Sequence, residues 1–339
     1  MGLIEGLNQQ YQSIAIVGLA KNAGKTVTLN YLIEEAYEHN ILLGLTSTGR
    51  DGERLDLVTD TEKPTIFVVE GTLIATARSL IETGDAGLEI LEVTEFTSPL
   101  GHITLCRVKE EGTVQLAGPT NSKDAIKIRD KLLAYGAELV LLDGAIDRKA
   151  VSAPGVTDAC VVSTGAVLSR DIRKVVWQTS YFITILTLPK VTDSRMLEMG
   201  KELTSSSVID DQYQIITPDV KTSLGKVNQL MAVVNEKTKY VYLSGAVTTA
   251  MMKALMMGKH KPTLLIDNGT QIFSDYFNFN SLVKKGLKIE VLQPIEVKGI
   301  TVNPVAPVGY SFDSETFVEK IKEAVGDIPV IDVLGGIER

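Results

Sequence analysis

The fold is decided by the stretch Ile14-Ala15-Ile16-Val17-Gly18-Leu19-Ala20-Lys21-Asn22-Ala23-Gly24-Lys25-Thr26, an apolar strand that runs into a loop ending in Gly-Lys-Thr. Apolar residues recur at helical spacing directly after it, at Leu29, Leu32 and Ile33, so a helix with one buried face is predicted to follow. A strand, a loop and a helix in this order place backbone N–H groups and the positive end of the helix around an anion. The stretch therefore predicts a phosphate-binding loop.

The residue types in the loop suggest individual roles in binding a nucleotide. Lys25 is predicted to reach the β- and γ-phosphates, and the Thr26 hydroxyl to bind Mg²⁺. The other residues predicted to contact the nucleotide are Gly18, Lys21, Asn22, Ala23, Gly24 and Val27. Five residues separate Gly18 from Gly24, where the common pattern has four. The alternative is a plain strand-to-helix turn that carries a surface lysine.

Acidic residues at strand ends are the second feature that nucleotide chemistry requires, because Mg²⁺ takes one or two carboxylates near the phosphates. Asp143 ends the apolar run 139–142 and precedes Gly144, which is the form of a Walker B strand. Asp51 follows the second predicted strand and would contact the metal or activate a nucleophile. Lys25, Asp51 and Asp143 are thus the predicted catalytic residues, with Glu70 as the competitor of Asp143. The alternative for each carboxylate is a cap on the next helix or turn.

Basic and small polar residues also follow predicted strands. Arg50, Arg148 and Lys21 are candidates to neutralise phosphate charge, with a solvated surface role as the alternative. The strand that ends in Ser163-Thr164-Gly165 would let a ligand approach the backbone, or would simply turn there.

Composition limits the class of protein. The 339 residues are enough for two domains, and the net charge of −8 argues against a nucleic-acid surface. No apolar run of about 18 residues and no signal-peptide layout is present in the sequence, so we expect a cytoplasmic protein without membrane contact. Cys106 and Cys160 lie in apolar runs and are predicted to be core residues.

Alternating apolar strands and helices predict an α/β fold with a mostly parallel sheet covered by helices. Residues 1–204 are predicted to form a P-loop nucleotide-binding domain with a β-rich insertion near 86–118. A serine-rich linker near 204–211 would lead to a second, smaller α/β domain at 205–339, which could bind a partner or ligand. The alternative is that this part of the chain extends the first sheet. Two local expectations are a helix from Thr72 to about Glu82 and a strand from Tyr181 to Leu188.

The predicted second domain has its own strand ends with small polar residues. Ser244-Gly245-Ala246 and Asp267-Asn268-Gly269 both follow strands, where ligands of open α/β sheets bind. The methionine-rich segment 251–257 is predicted to be a helix that packs in the core rather than a binding groove.

Three motifs together resemble a known family. Gly18 to Thr26, Thr48 to Glu53, and Leu142 to Arg148 look like the ATPase-like reactivase subunits encoded beside lysine and ornithine aminomutases. The spacing of the glycines in the loop is similar to that of dethiobiotin synthetase, within the wider P-loop group that includes the MinD-like ATPases. In the MinD-like signature the extra lysine stands five residues before the Walker lysine, whereas Lys21 stands four before Lys25.

The resemblance implies a helper protein that binds ATP and Mg²⁺ and hydrolyses ATP to assist replacement of damaged cobalamin. Its partner would be an aminomutase that uses adenosylcobalamin and pyridoxal phosphate, or another reactivase subunit, and a homodimer is a further possibility. The sequence has no guanine-reading Asn-Lys-x-Asp motif, which favours ATP. Two alternatives stay open: a dethiobiotin-synthetase-like ligase or kinase that phosphorylates a small carboxylate or carbamate, and a nucleotide-sensing scaffold without hydrolysis.

Overall fold

The structure is a computed structural model that describes residues 2–48, 65–144, 155–218, 226–307, 309–335 and 337–338. Its internal contacts divide the chain into two units. Unit 1 comprises Met1–Ser180 together with Glu296–Arg339, and unit 2 comprises Tyr181–Ile295. Unit 2 is therefore inserted into the sequence of unit 1.

Unit 1 is built on one large mixed sheet. Its strands are β1 (Ser13–Gly18), β2 (Leu43–Thr48), β4 (Leu73–Ala77), β5 (Gly87–Ser98), β6 (Gly101–Glu110), β8 (Leu139–Gly144), β9 (Ala159–Gly165), β17 (Val297–Asn303), β18 (Val330–Asp332) and β19 (Ile337–Glu338). Among the described residues their order is β19-β18-β17-β9-β1-β8-β2-β4-β6-β5. The strands from β18 to β4 are parallel, whereas β19, β6 and β5 are each antiparallel to the strand beside them. A separate antiparallel pair consists of β3 (Ile66–Val68) and β7 (Gly112–Val114).

Helices accompany this sheet and bury their apolar faces. In unit 1 they are α1 (Leu3–Asn8), α2 (Lys25–Glu38), α3 (Ser122–Ala134), the first part of α4 (Ile172–Leu186) and α9 (Ser314–Val325). Leu29, Leu32 and Ile33 of α2 belong to one buried cluster with alternate residues of the central strands. Central strands that are buried on both faces explain why β1, β2 and β9 are apolar or small throughout. The predicted α/β class with a mostly parallel sheet is confirmed.

The N-terminal helix α1 was not indicated by the sequence pattern. The two carboxylate oxygens of Glu35 accept hydrogen bonds from the backbone N–H groups of Leu3 and Ile4, each at 3.1 Å. Glu35 is buried although it is charged, and these bonds satisfy it while they cap α1. The start of the chain is thereby fixed against α2.

Unit 2 contains a smaller mixed sheet. Its strands are β10 (Ser207–Asp210), β11 (Ile215–Ile216), β12 (Thr238–Tyr242), β14 (Thr263–Ile266) and β16 (Ile289–Val291), in the order β11-β10-β12-β14-β16. The strands β12, β14 and β16 are parallel, and β10 is antiparallel to β12. A short parallel pair, β13 (Val247–Thr248) and β15 (Ile272–Phe273), lies apart from this sheet.

The helices of unit 2 are α5 (Ser194–Gly200), α6 (Lys226–Val233), α7 (Thr249–Met257), α8 (Tyr276–Lys284) and the remainder of α4. In the methionine-rich helix α7, Met252 is fully buried and Met257 is 87% exposed, so the predicted core role holds for one face only. Among the described helices of both units, none combines the length and the apolar character needed to cross a bilayer.

The observed division differs from the predicted boundary at 204/205. The predicted linker contains β10, whose Ser207, Val208 and Ile209 are buried in the sheet of unit 2. The segment after residue 295 returns to unit 1 as β17 and β18. Sequence patterns detect the strands but not the sheet that each one joins.

Two local predictions are wrong. The segment predicted as a helix from Thr72 to Glu82 forms β4 and a single 3-10 turn at Arg78–Leu80. The segment predicted as a strand from Tyr181 to Leu188 is largely the second half of α4. Thr179, Ile183 and Leu186 are buried at spacings of four and three residues, which is the period of a helix face.

Both cysteines are free and buried, as predicted. Burial raises the pKa of the Cys106 thiol to about 11 and that of Cys160 to about 12. The reactive thiolate is therefore suppressed at neutral pH, and both residues act as core side chains.

A charged cluster in unit 2 centres on Asp193, which caps α5 by accepting hydrogen bonds from Arg195 and Met196 N–H groups. Its other carboxylate oxygen lies 2.5 Å from Lys239 Nζ and 2.5 Å from the Tyr213 hydroxyl. Partial burial by itself would raise the pKa of Asp193, but the hydrogen bonds from Lys239 and Tyr213 outweigh it and lower the pKa to about 2.

Because of this lowered pKa, the free energy of unfolding of unit 2 should depend on pH in the acidic range. Because the folded-state pKa lies below the unfolded value of about 3.9, the contribution of Asp193 is complete above about pH 4 and is lost as pH falls toward 2. We expect the free energy of unfolding of the wild type to fall more steeply below pH 4 than that of Asp193→Asn, as measured by urea unfolding at several pH values. The exposed Asp211→Asn serves as the control and should follow the wild type. Parallel pH profiles for wild type and Asp193→Asn would contradict the assignment.

Candidate functional site

The Gly18–Thr26 loop, which runs from the last residue of β1 to the first two residues of α2, lies at the carboxyl ends of the central parallel strands. β1 runs between β8 and β9, with Val17 opposite Gly144 and Gly18 opposite Ser163. Ligands of open parallel sheets bind at this edge. The position of the Gly18–Thr26 loop thus meets the topological requirement for a binding loop.

Backbone conformation turns the chain from the strand into the helix. Asn22 and Gly24 have φ values of 61° and 103°, a region that asparagine tolerates and glycine adopts freely. Gly24 is the N-cap of α2, and within the described part of the chain no side chain caps this helix. The N–H groups of its first turn have no intrahelical acceptors, and such groups bind anions at helix N-termini.

Gly18 makes room for the side chain of Lys25. A Cβ atom at position 18 would lie 2.8 Å from Lys25 Cγ, closer than carbon atoms approach. The aliphatic part of Lys25 therefore lies against the end of β1, and it does so only because residue 18 has no side chain. The first glycine of the motif and its lysine are coupled by direct packing.

Asn303, for which no role was predicted from the sequence, lies next to Gly24 of the loop. A Cβ atom on Gly24 would lie 3.1 Å from Asn303 Cβ, and one on Gly165 would lie 2.8 Å from the Asn303 carbonyl oxygen. The Asn303 side chain accepts a hydrogen bond from the Val305 N–H group at 2.9 Å. Gly24, Gly165 and Asn303 thus approach one another closely at the ends of three segments. The sequence signal that could have indicated a role for Asn303 is an asparagine at the end of a buried strand.

Asp143 is at the same edge of the sheet and on the same face as α2. It pairs with Ile16 of β1 and Ser47 of β2, and the Ser47 hydroxyl donates to its carbonyl oxygen at 3.2 Å. Leu139 and Leu141 pack in the cluster that contains the buried face of α2, so alternation along β8 assigns Asp143 to that face. Asp143 and the Gly18–Thr26 loop therefore lie at the same end of the parallel strands and on the same face of the sheet.

Glu70 is not part of this arrangement. β3, which precedes it, belongs to the separate pair with β7, and Glu70 is exposed before the start of β4. Because Leu73 pairs with Gly44, four residues before the end of β2, Glu70 is roughly 20 Å from the loop edge. Asp51, Arg50 and Arg148 lie outside the described residues. Lys21 is exposed on the loop.

The residues at this edge fit a magnesium–nucleotide complex. Within the described ranges, no group of three or more His, Cys, Asp or Glu residues could hold a metal ion by itself. Mg²⁺ bound to phosphates needs only one or two protein ligands, because phosphate oxygens and water complete its coordination. Thr26 at the start of α2 and Asp143 on β8 would supply such ligands.

The strand end at Asp267, in unit 2, was also predicted to be a candidate ligand site. In the structure its carboxylate takes part in a hydrogen-bond network. The Tyr242 hydroxyl donates to one oxygen of Asp267 at 2.8 Å, and Gln271 Nε2 donates to the other at 3.1 Å. Burial is the main reason that the pKa of Tyr242 is raised, and its hydrogen bond to Asp267 is the second. The Asp267 N–H group donates back to Gln271 Oε1 at 2.7 Å. The hydrogen bonds among Tyr242, Asp267 and Gln271 stabilise the turn after β14.

Comparison with known proteins finds no matching family model, no matching curated protein and no matching solved structure. The chemistry of the Gly18–Thr26 loop and of the strand ends around it is therefore the basis for assigning a function.

Proposed function

We propose that this protein binds Mg-ATP at the Gly18–Thr26 loop. The observation that supports the proposal is the start of α2 at Gly24-Lys25-Thr26, at the carboxyl ends of the parallel strands, where no side chain of the described residues caps the helix. Such a turn offers N–H donors and a positive helix dipole to an anion. A cation at Lys25 and a carboxylate at Asp143 on the same face give the edge the two charges that a metal-bound polyphosphate requires.

Each residue then has a defined role. The amides of the first turn and the loop bind phosphate oxygens, with Asn22, Ala23, Gly24 and Val27 as contributors, and Lys25 neutralises the β- and γ-phosphates. The Thr26 hydroxyl and Asp143 would hold Mg²⁺, and the ion would supply positive charge beside the phosphates. Lys21 adds positive charge from the exposed side of the loop.

For the biological role we propose an ATPase that assists reactivation of an adenosylcobalamin-dependent aminomutase. The support is the resemblance of the three motifs to the reactivase subunits. Unit 2, inserted between β9 and β17, is the candidate region for a partner or ligand. ATP hydrolysis would then depend on the partner protein.

A second candidate, a ligase or kinase acting on a small carboxylate or carbamate, is favoured by one observation. The loop has the same five-residue spacing between its glycines as dethiobiotin synthetase. ADP release separates the candidates: an ATPase helper should release ADP with an aminomutase, and a ligase or kinase only with its small substrate. ATP binding without ADP release under any condition would favour a nucleotide-sensing scaffold.

The binding proposal is tested by isothermal titration with ATP, in the presence and absence of Mg²⁺. We expect wild-type binding that Mg²⁺ strengthens, and we expect Asp143→Asn to lose about tenfold or more of the Mg-ATP affinity, because an amide is a weaker ligand for a hard cation. Glu70→Gln is the matched control, since it makes the same carboxylate-to-amide change at a position away from the Gly18–Thr26 loop. No binding of ATP by the wild type, or equal losses in both variants, would refute the assignment.

A further inference from the structure

Three buried hydroxyl groups form a cluster beneath the loop. Thr28 of α2, Ser163 of β9 and Thr301 of β17 are each at most 1% exposed. Thr28 Oγ1 lies 3.0 Å from Ser163 Oγ and 2.7 Å from Thr301 Oγ1, and the Thr301 hydroxyl donates to Ser163 at 2.9 Å. The three side chains therefore tie the helix to two neighbouring strands.

A hydrogen bond leads from this cluster to the loop, from the Thr28 hydroxyl to the Gly24 carbonyl oxygen at 3.0 Å. A chain in which Thr301 donates to Ser163, Ser163 to Thr28, and Thr28 to Gly24 gives every hydroxyl proton an acceptor. The Thr28 N–H group donates to the same carbonyl at 2.8 Å. The Gly24 oxygen is thus held by two donors and by a network that reaches β17.

The direction of the Gly24 carbonyl oxygen also sets the direction of the Lys25 N–H group, which would face the ligand. The Gly24 carbonyl and the Lys25 N–H group belong to one planar trans peptide, so they point in opposite directions. When the carbonyl is directed into the cluster, the Lys25 N–H group is directed out of the helix terminus. Ser163 also holds the beginning of the loop, because its carbonyl oxygen accepts the Leu19 N–H group at 2.9 Å.

We infer that Thr28, Ser163 and Thr301 are positioning residues that set the phosphate-facing amides of the Gly18–Thr26 loop. This inference rests on the proposed nucleotide function and adds the groups that preorganise its binding loop. Preorganised donors contribute to affinity because they pay no ordering cost when the ligand arrives.

β9 itself provides a matched control. Thr164, next to Ser163, points to the opposite face, and its hydroxyl lies 2.7 Å from that of Thr179 on α4. Both threonines are fully buried. Thr179→Val removes one hydroxyl from a buried pair, as Thr28→Val removes one from the cluster, but without contact to the loop.

The experiment compares Thr28→Val, Thr28→Ser and Thr179→Val by titration with Mg-ATP and by amide hydrogen exchange of the unliganded protein. We expect Thr28→Val to bind Mg-ATP about tenfold more weakly than the wild type, from the loss of one buried hydrogen bond. The amide of residue 28 at the start of α2, whose acceptor is the Gly24 carbonyl oxygen, should exchange faster. Thr28→Ser should restore both properties, and Thr179→Val should leave both unchanged.

Two results would overturn the inference, and they are distinguishable from failure of the proposed function. If Thr28→Val binds Mg-ATP as tightly as Thr179→Val does, the cluster does not position the loop for a ligand. If exchange at the start of α2 is unchanged in Thr28→Val, the cluster does not hold the loop, whatever the wild type binds. Absence of ATP binding by the wild type would refute the nucleotide assignment instead.

Discussion

Replacing Lys25 with alanine is expected to weaken ATP binding by about a hundredfold, because a charge-assisted contact to the phosphates is lost. The substitution should leave the fold intact, since Lys25 is only half-buried and its stem packs against Gly18. Titration with ATP, ADP and AMP measures the effect. The loss should be large for ATP and ADP and small for AMP, which lacks the phosphates that Lys25 reaches.

Lys21→Ala is the matched control for charge. Lys21 is exposed on the same loop, four residues before Lys25, so its removal deletes the same charge at a more solvated position. We expect a loss several times smaller than for Lys25→Ala. Equal losses in the two variants would mean that only the net charge of the loop matters, and wild-type affinity in Lys25→Ala would exclude this loop as the phosphate site.

Gly118→Ala is expected to destabilise unit 1 by about 4 kcal/mol or more, an effect of the size caused by severe steric conflict in a buried region. A Cβ atom at position 118 would lie 1.6 Å from the Ser47 carbonyl oxygen, so the backbone of one segment would have to move. Movement would break the hydrogen bonds that Ala117 makes with Thr76 and Ala77. Urea unfolding followed by circular dichroism measures the change.

Gly6→Ala provides the comparison for the glycine substitution itself. Gly6 lies within α1, and a Cβ atom there would meet no atom within 4 Å. Alanine in a helix interior is favoured over glycine by about 0.5–1 kcal/mol, so this variant should be as stable as the wild type or slightly more stable. A Gly118→Ala protein that unfolds at the same urea concentration as Gly6→Ala would show that the segment around Gly118 yields easily.

The parts of the fold that the sequence predicted are those with local signals. β1, the loop and α2 are contiguous, and their pattern of apolar and small residues specifies strand, turn and helix without reference to distant parts of the chain. Asp143 was located for the same reason, since it ends an apolar run. The α/β class followed from repetition of such local patterns.

The remaining features depend on pairings between distant segments. Asn303 packs against Gly24 only because β17 lies beside β9, and no local pattern states which strands are neighbours. Glu70 has the same local context as Asp143, an acidic residue after an apolar run and before glycine, but its strand pairs with β7 outside the main sheet. The second half of α4 was misassigned because a short apolar run fits a buried strand and a buried helix equally well.

The insertion of unit 2 between β9 and β17 has a consequence for the order in which the molecule is completed during synthesis. The Gly18–Thr26 loop is translated before unit 2, but the strand that carries Thr301 and Asn303 is translated only after all of unit 2. Contacts between segments so distant in sequence form slowly, because the intervening chain must first be closed into a loop. The nascent protein therefore acquires its finished loop region only after β17 has been translated, and a chain released before β17 would carry the signature motif without the strand that supports it.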